Sequence, residues 1–323
     1  MKIAVFGAGA WGTALALAFS DRHEVRVWTW LAAHADAMNA ARENAEFLPG
    51  YPLPEGLLVS ANADEVLADA ELAIIATPMA GLRAAVGTLG NRVPFLWVCK
   101  GLEVGSGLLP HQVVEQVGTT QPCGALTGPS FAEEVARGLP TAVTLASRNA
   151  GFASDMADAL HTPRLRIYAN DDIVGAEVGG AVKNVLAIAT GLCDGLGLGL
   201  NARAALMTRG LAEITRFGMA VGARRETFMG LAGLGDMILT CTGDLSRNRR
   251  VGLALASGKP IDIIQRELGH VAEGVMTAHE VLRRAEALGV DMPITEAVCA
   301  VLDGRIQATE TVARLMERDT KSE

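Results

Sequence analysis

A glycine pattern near the start of the chain, between an apolar run and a helical run, constrains the fold most strongly. Ile3–Phe6 is apolar, residues 7–12 read GAGAWG, and small and apolar residues continue after them. This is the G-x-G-x-x-G pattern of a strand–turn–helix unit, in which Gly7 forms the tight turn, Gly9 admits a pyrophosphate to the backbone and Gly12 lets the helix pack closely on the strand. The helix N-terminus then offers its unpaired N–H groups to the phosphates. The pattern predicts a nicotinamide or flavin dinucleotide site, and the simpler alternative is a glycine turn in an α/β layer without a ligand.

The composition predicts a globular protein and excludes some classes of partner. The chain has 323 residues, of which 50% are hydrophobic and 20% are charged, which is typical of a protein with two folded domains. Its formal net charge is −8, so a bound anion needs a local basic cluster. We therefore expect no nucleic-acid partner and no insertion into a membrane.

The cysteines and the N-terminal residues predict a cytoplasmic protein. Five cysteines are scattered without a C-x-x-C pair, which is typical of reduced, mostly buried thiols; a catalytic thiol is the alternative, but it has no motif. The first residues lack the charged and apolar regions of a signal peptide. The apolar stretch 179–200 contains Lys183, Asn184 and Asp194, which favours a buried helix over a membrane span. Six histidines show no ligand spacing, so we expect no bound metal.

Short apolar runs alternate with helical stretches as far as Asn170, and the chain is helical in period after it. The predicted strands are residues 3–6, Glu24–Trp28, Leu72–Ala76, Pro94–Cys99, Gly124–Thr127, Ala142–Ala146 and Leu165–Tyr168. This alternation predicts an α/β fold with a doubly wound, Rossmann-type parallel sheet, followed by an all-helical C-terminal domain. The predicted helices of the second half are Ile173–Leu192, Asn201–Val221, Arg247–Ala256, Ile261–Glu267, Glu273–Ala287, Ile294–Leu302 and Thr309–Glu317. We place the boundary near Asp171, between a dinucleotide-binding domain of residues 1–171 and a helical substrate domain of residues 172–323.

Lys183 and Asp236 are the first candidates for acid–base chemistry. Lys183 lies in a predicted helix among apolar residues and glycines, where burial would lower its pKa towards that of a general base; alternatively, its ammonium reaches solvent from a half-buried helix. Asp236 follows Gly233-Leu234-Gly235. It is either a helix N-cap or a partner of a buried lysine.

Residues 246–250, which read SRNRR, concentrate three arginines at a predicted helix start. Guanidinium groups, a hydroxyl and backbone donors together suit a phosphate, and a solvated helix start is the alternative. Ser130 and Glu133 form an S-x-x-E capping box, which predicts Ser130 as a helix N-cap. Lys100 and Gly128 also follow predicted strands, and their position there would suit ligand contacts.

Seven segments together resemble the bacterial NAD(P)-dependent glycerol-3-phosphate dehydrogenase family over essentially the whole chain. They are residues 7–16 (GAGAWGTALA), 100–103 (KGLE), 128–132 (GPSFA), 179–185 (GGAVKNV), 233–236 (GLGD), 246–250 (SRNRR) and 271–274 (VAEG). Each segment is ambiguous alone, whereas their joint occurrence in this order is specific. The resemblance implies reversible hydride transfer between NAD(P)H and dihydroxyacetone phosphate, giving sn-glycerol 3-phosphate for phospholipid synthesis.

The resemblance also implies roles for individual residues. Lys183 matches the family's general acid/base, which protonates the C2 oxygen during reduction, and Asn184 and Asp236 match polar partners beside it. The expected substrate contacts are Lys100, Gly128, Ser130, Lys183, Asp236, Ser246, Arg247 and Asn248. The expected coenzyme contacts, including the glycine pattern, are Gly7, Gly9, Ala10, Trp11, Gly12, Trp30, Lys100, Ala132, Arg247, Val271 and Glu273. We expect NAD or NADP as the cofactor and a homodimer as the assembly.

One departure from the family concerns the choice of coenzyme. Many members carry a basic residue just after the second strand, but residues 28–31 of this chain read WTWL, without an arginine for a 2′-phosphate or an acid for a free 2′-hydroxyl. Met79 also stands where a serine is common. Two rival functions are a dehydrogenase of the same architecture acting on another small acid or ketone, and a dinucleotide sensor without enzymatic activity.

Overall fold

The structure is a computed structural model that describes residues 1–268 and 272–311. The chain divides into two compact units. The first, which we call the sheet unit, contains Met1–Lys100 and Leu109–Ala176. The second, the helical unit, contains Gly101–Leu108 and the chain from Glu177 onward.

The sheet unit is built on an eight-stranded sheet and a separate two-stranded hairpin. The strands are β1 (Lys2–Phe6), β2 (Glu24–Trp28), β3 (Glu43–Asn44), β4 (Leu48–Pro52), β5 (Leu58–Ser60), β6 (Leu72–Ile75), β7 (Phe95–Trp97), β8 (Cys123–Thr127), β9 (Thr141–Ala146) and β10 (Leu165–Asn170). The strand order in the large sheet is β10-β9-β8-β7-β6-β1-β2-β5. The chain therefore leaves β1 in one direction, returns to its other side at β6, and creates a topological switch point next to β1, which is where such sheets bind ligands.

The predicted doubly wound parallel sheet is confirmed, with one antiparallel pair among its neighbouring strands. β8 and β9 are antiparallel, whereas the other neighbouring pairs of this sheet run parallel. The connection from β8 to β9 contains only a five-residue helix, Ala132–Ala136. This short helix packs against the helix that follows β1, and the next strand therefore returns antiparallel, without the long helical crossover that usually joins parallel neighbours.

The core of the sheet unit lies on both faces of its central strands. Leu72–Ile75 is buried at every position, as expected for a strand covered on both faces. Val5, Ile74 and Leu96, from three neighbouring strands, belong to one apolar cluster with Leu15 and Phe19 of the helix after β1. Their full burial explains why these strands read as continuous apolar runs.

Seven helices cover the described sheet unit. They are α1 (Ala10–Ser20), α2 (Ala32–Ala41), α3 (Ala63–Leu67), α4 (Leu82–Leu89), α5 (Pro110–Val117), α6 (Ala132–Ala136) and α7 (Ala150–Leu160). The prediction that Ser130 caps a helix was wrong, because α6 begins after Phe131 and has no side-chain cap. The Ser130 hydroxyl instead donates to the carbonyl oxygen of Gly128 at 3.0 Å.

The helical unit contains no strand among its described residues. Its helices are α8 (Ile173–Gly195, which begins before the unit boundary), α9 (Gly199–Ala220), α10 (Asp236–Thr242), α11 (Arg247–Ala256), α12 (Ile261–Leu268), α13 (Glu273–Ala287) and α14 (Pro293–Leu302). A short 3-10 helix (Arg225–Met229) and a π-helical turn (Leu231–Gly235) precede α10. The predicted bounds of α11 and α13 are confirmed, and α14 begins one residue before its predicted start, at Pro293. Residues 308–311 are helical, and the rest of the helix predicted over Thr309–Glu317 lies outside the described residues.

α8 is the one described helix that is long and apolar enough to cross a membrane. In its most apolar window, 94% of the residues are buried within the protein. A buried core helix has the same length and composition as a membrane span, so α8 gives no indication of a membrane-spanning segment.

Candidate active site

The glycine turn after β1 has the geometry that the sequence predicts. Gly7 has a φ of +120°, and a Cβ there would lie 2.6 Å from the carbonyl oxygen of Ala76, which follows β6. A Cβ on Gly12 would overlap the carbonyl oxygen of Gly7. Both positions therefore exclude any larger residue, because backbone atoms of the turn and of the neighbouring strand occupy the space.

The same turn fits a dinucleotide. Gly9 is the N-cap of α1 and has no side chain to cap the helix. The first turn that follows it contains no acidic residue. A Cβ on Gly9 would meet nothing within 4 Å, so the space beside this helix start is open to a ligand, and the N–H groups at a helix start favour an anion. Among the described residues, the buried hydroxyls of Thr77 and Thr127 also have no hydrogen-bond partner. They follow β6 and end β8, at the sheet edge where ligands bind in this fold.

Asn44 donates hydrogen bonds to the glycine turn and to α1, and the sequence analysis did not predict these contacts. Its side chain is fully buried, and its Nδ2 donates to the Ala8 carbonyl oxygen and to Thr13 Oγ1, both at 2.8 Å. Its Oδ1 lies 3.2 Å from His34 Nε2, and His34 Nδ1 lies 3.2 Å from Thr29 Oγ1. This chain of polar groups connects the end of β2 with the glycine turn. An asparagine shortly after a helix, as Asn44 is after α2, carries no sequence signal for such a contact.

Three of the predicted coenzyme residues of the sheet unit share one apolar cluster, and a fourth, Trp30, is exposed. Ala10, Trp11 and Ala132 pack against one small apolar cluster, which brings the start of α1 together with the start of α6. Trp30 stands apart from them after β2, where its residue surface is 75% exposed.

The three predicted substrate contacts of the sheet unit meet at one carbonyl group. Ser130 Oγ donates to the Gly128 carbonyl oxygen at 3.0 Å, and Lys100 Nζ lies 3.4 Å from the same atom. Lys100 follows β7, and Gly128 follows β8, its neighbour in the sheet. The structure therefore groups these residues around Gly128 as expected from the ends of adjacent strands.

Lys183 is buried in α8 and forms a network with α10. Its Nζ donates to Asp236 Oδ1 and, at 2.8 Å, to Thr240 Oγ1. The Lys183 side chain is 6% exposed and that of Asp236 is 1% exposed. Thr240 lies one turn after Asp236 and donates to its backbone carbonyl at 2.7 Å. The arrangement is an ion pair, shielded from water, in which a hydroxyl fixes the direction of the ammonium group.

This network decides between the alternatives left open by the sequence. Burial excludes a Lys183 ammonium that reaches solvent. The simpler assignment of Asp236 as an N-cap was wrong, because Gly235 occupies that position and Asp236 is the first residue of α10. The π-helical turn before α10 approaches α8 so closely that a Cβ on Gly179 would overlap the Ala232 carbonyl oxygen. This close packing directs the Asp236 carboxylate towards Lys183.

Cys241 lies beside this network but is not a nucleophile. It is fully buried in α10, and burial raises the pKa of its thiol to about 12. The thiolate is the reactive form of cysteine, so the thiol stays protonated and inert at neutral pH.

The start of α11 brings together the predicted phosphate contacts. Ser246 is its N-cap and accepts from Arg249 N at 3.3 Å. Arg247 is exposed. Asn248 Oδ1 accepts from the backbone N of Gly274 at 3.1 Å, which joins this helix start to the start of α13.

Two further predicted site residues, Asn184 and Glu273, lie beside this contact between α11 and α13. Asn184, next to Lys183, is buried, and a Cβ on Gly274 would lie 2.9 Å from its carbonyl oxygen. Glu273 is the first residue of α13. Val271 lies outside the described residues. Among the residues that are described, no group of three His, Cys, Asp or Glu side chains is placed to hold a metal ion.

A dinucleotide-type turn at the switch point of a doubly wound sheet, with a buried and paired lysine in a helical unit, is the combination of an NAD(P)-dependent dehydrogenase. The chain matches the family models for the N-terminus of NAD-dependent glycerol-3-phosphate dehydrogenase over residues 2–153 and for its C-terminus over residues 172–313. The chain belongs to this family.

Similar proteins support the assignment along the whole chain. The glycerol-3-phosphate dehydrogenase [NAD(P)+] of Dechloromonas aromatica is 64% identical over 327 residues, which cover 100% of this chain and 99% of the relative. That of Aromatoleum aromaticum is 60% identical, with 100% of both chains covered. The crystal structure of glycerol-3-phosphate dehydrogenase from Coxiella burnetii superposes with a TM-score of 0.93 at 41% identity, and the match covers 98% of each chain.

Proposed function

We propose that this protein catalyses the reversible reduction of dihydroxyacetone phosphate by NAD(P)H to sn-glycerol 3-phosphate. Membership of the family gives the reaction type, and the names of the close relatives give the substrate. The observation that carries the proposal is the buried network of Lys183, Asp236 and Thr240. A ketone reduction needs a proton at the carbonyl oxygen, and a Lys183 ammonium paired with Asp236 is a suitable donor.

Lys183 is the proton donor of the reduction. The coenzyme, when bound, supplies the hydride to C2 of the substrate. The Lys183 ammonium gives one proton to the C2 oxygen, so that the carbonyl becomes a secondary alcohol, and the resulting amine regains its proton from solvent. In the oxidation Lys183 takes that proton back. Asp236 compensates the ammonium charge, and Thr240 orients Nζ by its hydrogen bond.

The phosphate of the substrate binds at the start of α11. Arg247, Asn248 and Ser246 supply a guanidinium group, an amide and a hydroxyl there, and the helix N-terminus favours an anion. We propose Lys100, Gly128 and Ser130 as further substrate contacts, as the family resemblance implies, and Asn184 as a polar partner of Lys183.

The coenzyme binds at the glycine turn. We propose that Gly7, Gly9 and Gly12 form the pyrophosphate site with the start of α1. The other proposed contacts are Ala10, Trp11, Trp30, Lys100, Ala132, Arg247, Val271 and Glu273. We place the boundary between the two domains near Asp171, with the proposed pyrophosphate site in residues 1–171 and the proposed acid–base chemistry in residues 172–323.

We also propose a cytoplasmic homodimer that supplies glycerol phosphate for phospholipid synthesis. The five free cysteines are compatible with a reducing compartment. Exposed apolar side chains of the helical unit, among them Leu200 and Met229, which are 70% and 61% exposed, favour a self-association surface. Light scattering of the purified protein measures the assembly directly, and a monomer at micromolar concentration overturns the dimer.

The reaction is tested by following reduced nicotinamide absorbance with three substrates. Dihydroxyacetone phosphate should consume NADH or NADPH rapidly. Dihydroxyacetone, which lacks the phosphate, and a small 2-keto acid should react far more slowly. Equal rates with the unphosphorylated compounds would favour another dehydrogenase, and coenzyme binding without turnover of any substrate would favour a sensor.

A further inference from the structure

Arg249, one of the three arginines at the start of α11, is committed to ion pairs within the protein. Its Nε and Nη2 both donate to Asp194 Oδ2, at 3.0 and 2.8 Å, and its Nη1 donates to Asp244 Oδ1 at 3.0 Å. The side chains of Arg249 and Asp194 are only 12% and 14% exposed. A guanidinium group with three of its donors engaged in this way is a structural tie and not a phosphate ligand.

Asp194 of α8 accepts hydrogen bonds from arginines of two other helices, α9 and α11. It lies in the last turn of α8, and it also accepts from Arg203 Nη1 of α9, at 3.3 Å to Oδ1 and 3.1 Å to Oδ2. Its carboxylate therefore separates two guanidinium groups that would repel each other without it. Removing this negative charge would break the ion pair that joins the start of α11 to α8.

The backbones of α8 and α11 touch beside this ion pair. A Cβ on Gly252 would lie 2.7 Å from Leu192 N and 2.8 Å from the Cα of Gly191. A Cβ on Gly191 would lie 2.9 Å from the Cα of Gly252. Such an approach fixes the separation of the two helices, and the ion pair fixes how far one is shifted along the other.

Lys183 lies in the same helix as Asp194, on its N-terminal side. Lys183 and Asp194 are eleven residues apart in α8, which is about three helical turns, so they lie on the same face and about 16 Å apart along the axis. Arg249 follows Arg247 and Asn248 directly in the first turn of α11. The α8 helix therefore holds Lys183 and Asp194 at fixed positions, and the ion pair with Arg249 fixes the start of α11 against this helix.

We infer that Asp194, acting through Arg249, is a positioning residue that sets the separation between Lys183 and the phosphate contacts Arg247 and Asn248. The inference rests on the proposed function and deepens it, because this separation selects a substrate whose carbonyl and phosphate lie a fixed distance apart. Neither Asp194 nor Arg249 contacts the substrate. Their effect is on the fit of the phosphorylated substrate and not on the proton transfer itself.

The test is Asp194→Asn, which keeps the size of the side chain and removes its charge. We expect the KM for dihydroxyacetone phosphate to rise about tenfold to 100-fold while kcat stays within about twofold, because displaced phosphate contacts weaken binding. The slow reduction of dihydroxyacetone should not change. Asp262→Asn is the matched control, since Asp262 pairs with Arg266 on the surface of the same unit and is 61% exposed.

A second variant and a binding measurement keep the outcomes separate. Arg249→Lys retains the charge but loses the two-donor contact with Asp194, and it should shift the same KM in the same direction. Calorimetric binding of inorganic phosphate to the protein should weaken about tenfold in both variants. An unchanged KM and phosphate affinity in both, or equal losses with both substrates, would overturn the inference. A wild type that binds phosphate but reduces no substrate would instead overturn the proposed function.

Discussion

Lys183 and Asp236 form an ion pair between α8 and α10 in which neither side chain is more than 6% exposed. The two residues are 53 positions apart in sequence, and each depends on the other, because removing one partner of a buried pair leaves an uncompensated charge. The pair is therefore both a structural contact of the helical unit and the centre of its proposed chemistry.

Replacing Asp236 by asparagine should abolish most activity. Asp236→Asn leaves Lys183 buried without a counter-charge, which favours the neutral amine and removes the proton donor. We expect kcat to fall at least about 100-fold and the free energy of unfolding to fall by about 3–5 kcal/mol. Steady-state kinetics and urea unfolding measure the two effects, with Asp262→Asn as the control. A variant with wild-type kcat would contradict the role of the pair.

Gly9 and Gly12 should respond differently to alanine. Gly9 has a φ of −76° and open space at its Cβ position, so Gly9→Ala should fold normally but weaken NADH binding about tenfold or more, because the methyl group enters the pyrophosphate site. Gly12→Ala should lower Tm, since its Cβ overlaps the Gly7 carbonyl oxygen. Gly87→Ala in α4, where a Cβ also meets nothing within 4 Å, is the matched control. Unchanged NADH affinity in Gly9→Ala would argue against a pyrophosphate at this turn.

Trp30 gives a direct test of coenzyme choice. The residue is exposed after β2, where a 2′-phosphate of NADP would lie. Trp30→Arg should raise the ratio of kcat/KM for NADPH over NADH by about tenfold, because a charge-assisted hydrogen bond to the phosphate contributes about 1.5–3 kcal/mol. Trp30→Leu is the control, because it removes the indole ring without adding a positive charge. If both variants shift the ratio equally, the 2′-phosphate does not lie beside this residue.

Glu213 should make stability depend on pH. Its buried carboxylate accepts from Ile294 N and Thr295 N, both at 2.9 Å, and from Thr295 Oγ1 at 2.7 Å. Burial raises its pKa, although these hydrogen bonds act in the opposite direction. Folding therefore favours the protonated form, so the stabilisation is complete below the unfolded pKa of about 4.3 and is lost as pH rises through the folded pKa.

Glu213→Gln removes this titration and supplies the comparison. The stability of the wild type relative to Glu213→Gln should fall as pH rises, by at most about 1.4 kcal/mol per pH unit for one proton. Urea unfolding between about pH 4 and about pH 8 covers the window where a raised carboxyl pKa acts. A difference that stays constant or grows with pH would show that burial does not dominate at this carboxylate.

Local patterns predicted the fold wherever neighbours in sequence decide it. The glycine turn and the bounds of α11 and α13 follow from turn and capping chemistry within a few residues. The β3–β4 hairpin was not among the predicted strands, because its prolines, Pro49 and Pro52, are unfavourable in most strands, although edge strands tolerate them. The antiparallel pairing of β9 was missed because a strand's direction depends on its connection and not on its own residues.

The candidate site, like the fold, was predicted from the sequence only in part. Lys183 was identified from its apolar neighbours, and the resemblance supplied the other candidate roles. Thr240 at Lys183, Asn44 at the glycine turn and the Asp194–Arg249 tie were not assigned, because each depends on contacts made by folding residues distant in sequence. Single polar residues carry no sequence pattern that distinguishes such contacts from ordinary surface positions.

Proton transfer by Lys183 is tested by the kcat of Lys183→Arg with dihydroxyacetone phosphate and saturating coenzyme. Arginine keeps the positive charge opposite Asp236, but it cannot be deprotonated at working pH and so cannot transfer a proton. We predict that kcat falls at least about 100-fold while the Kd for NADH, measured by fluorescence, stays within about twofold. A Lys183→Arg enzyme with kcat within about twofold of the wild type would contradict proton transfer by Lys183.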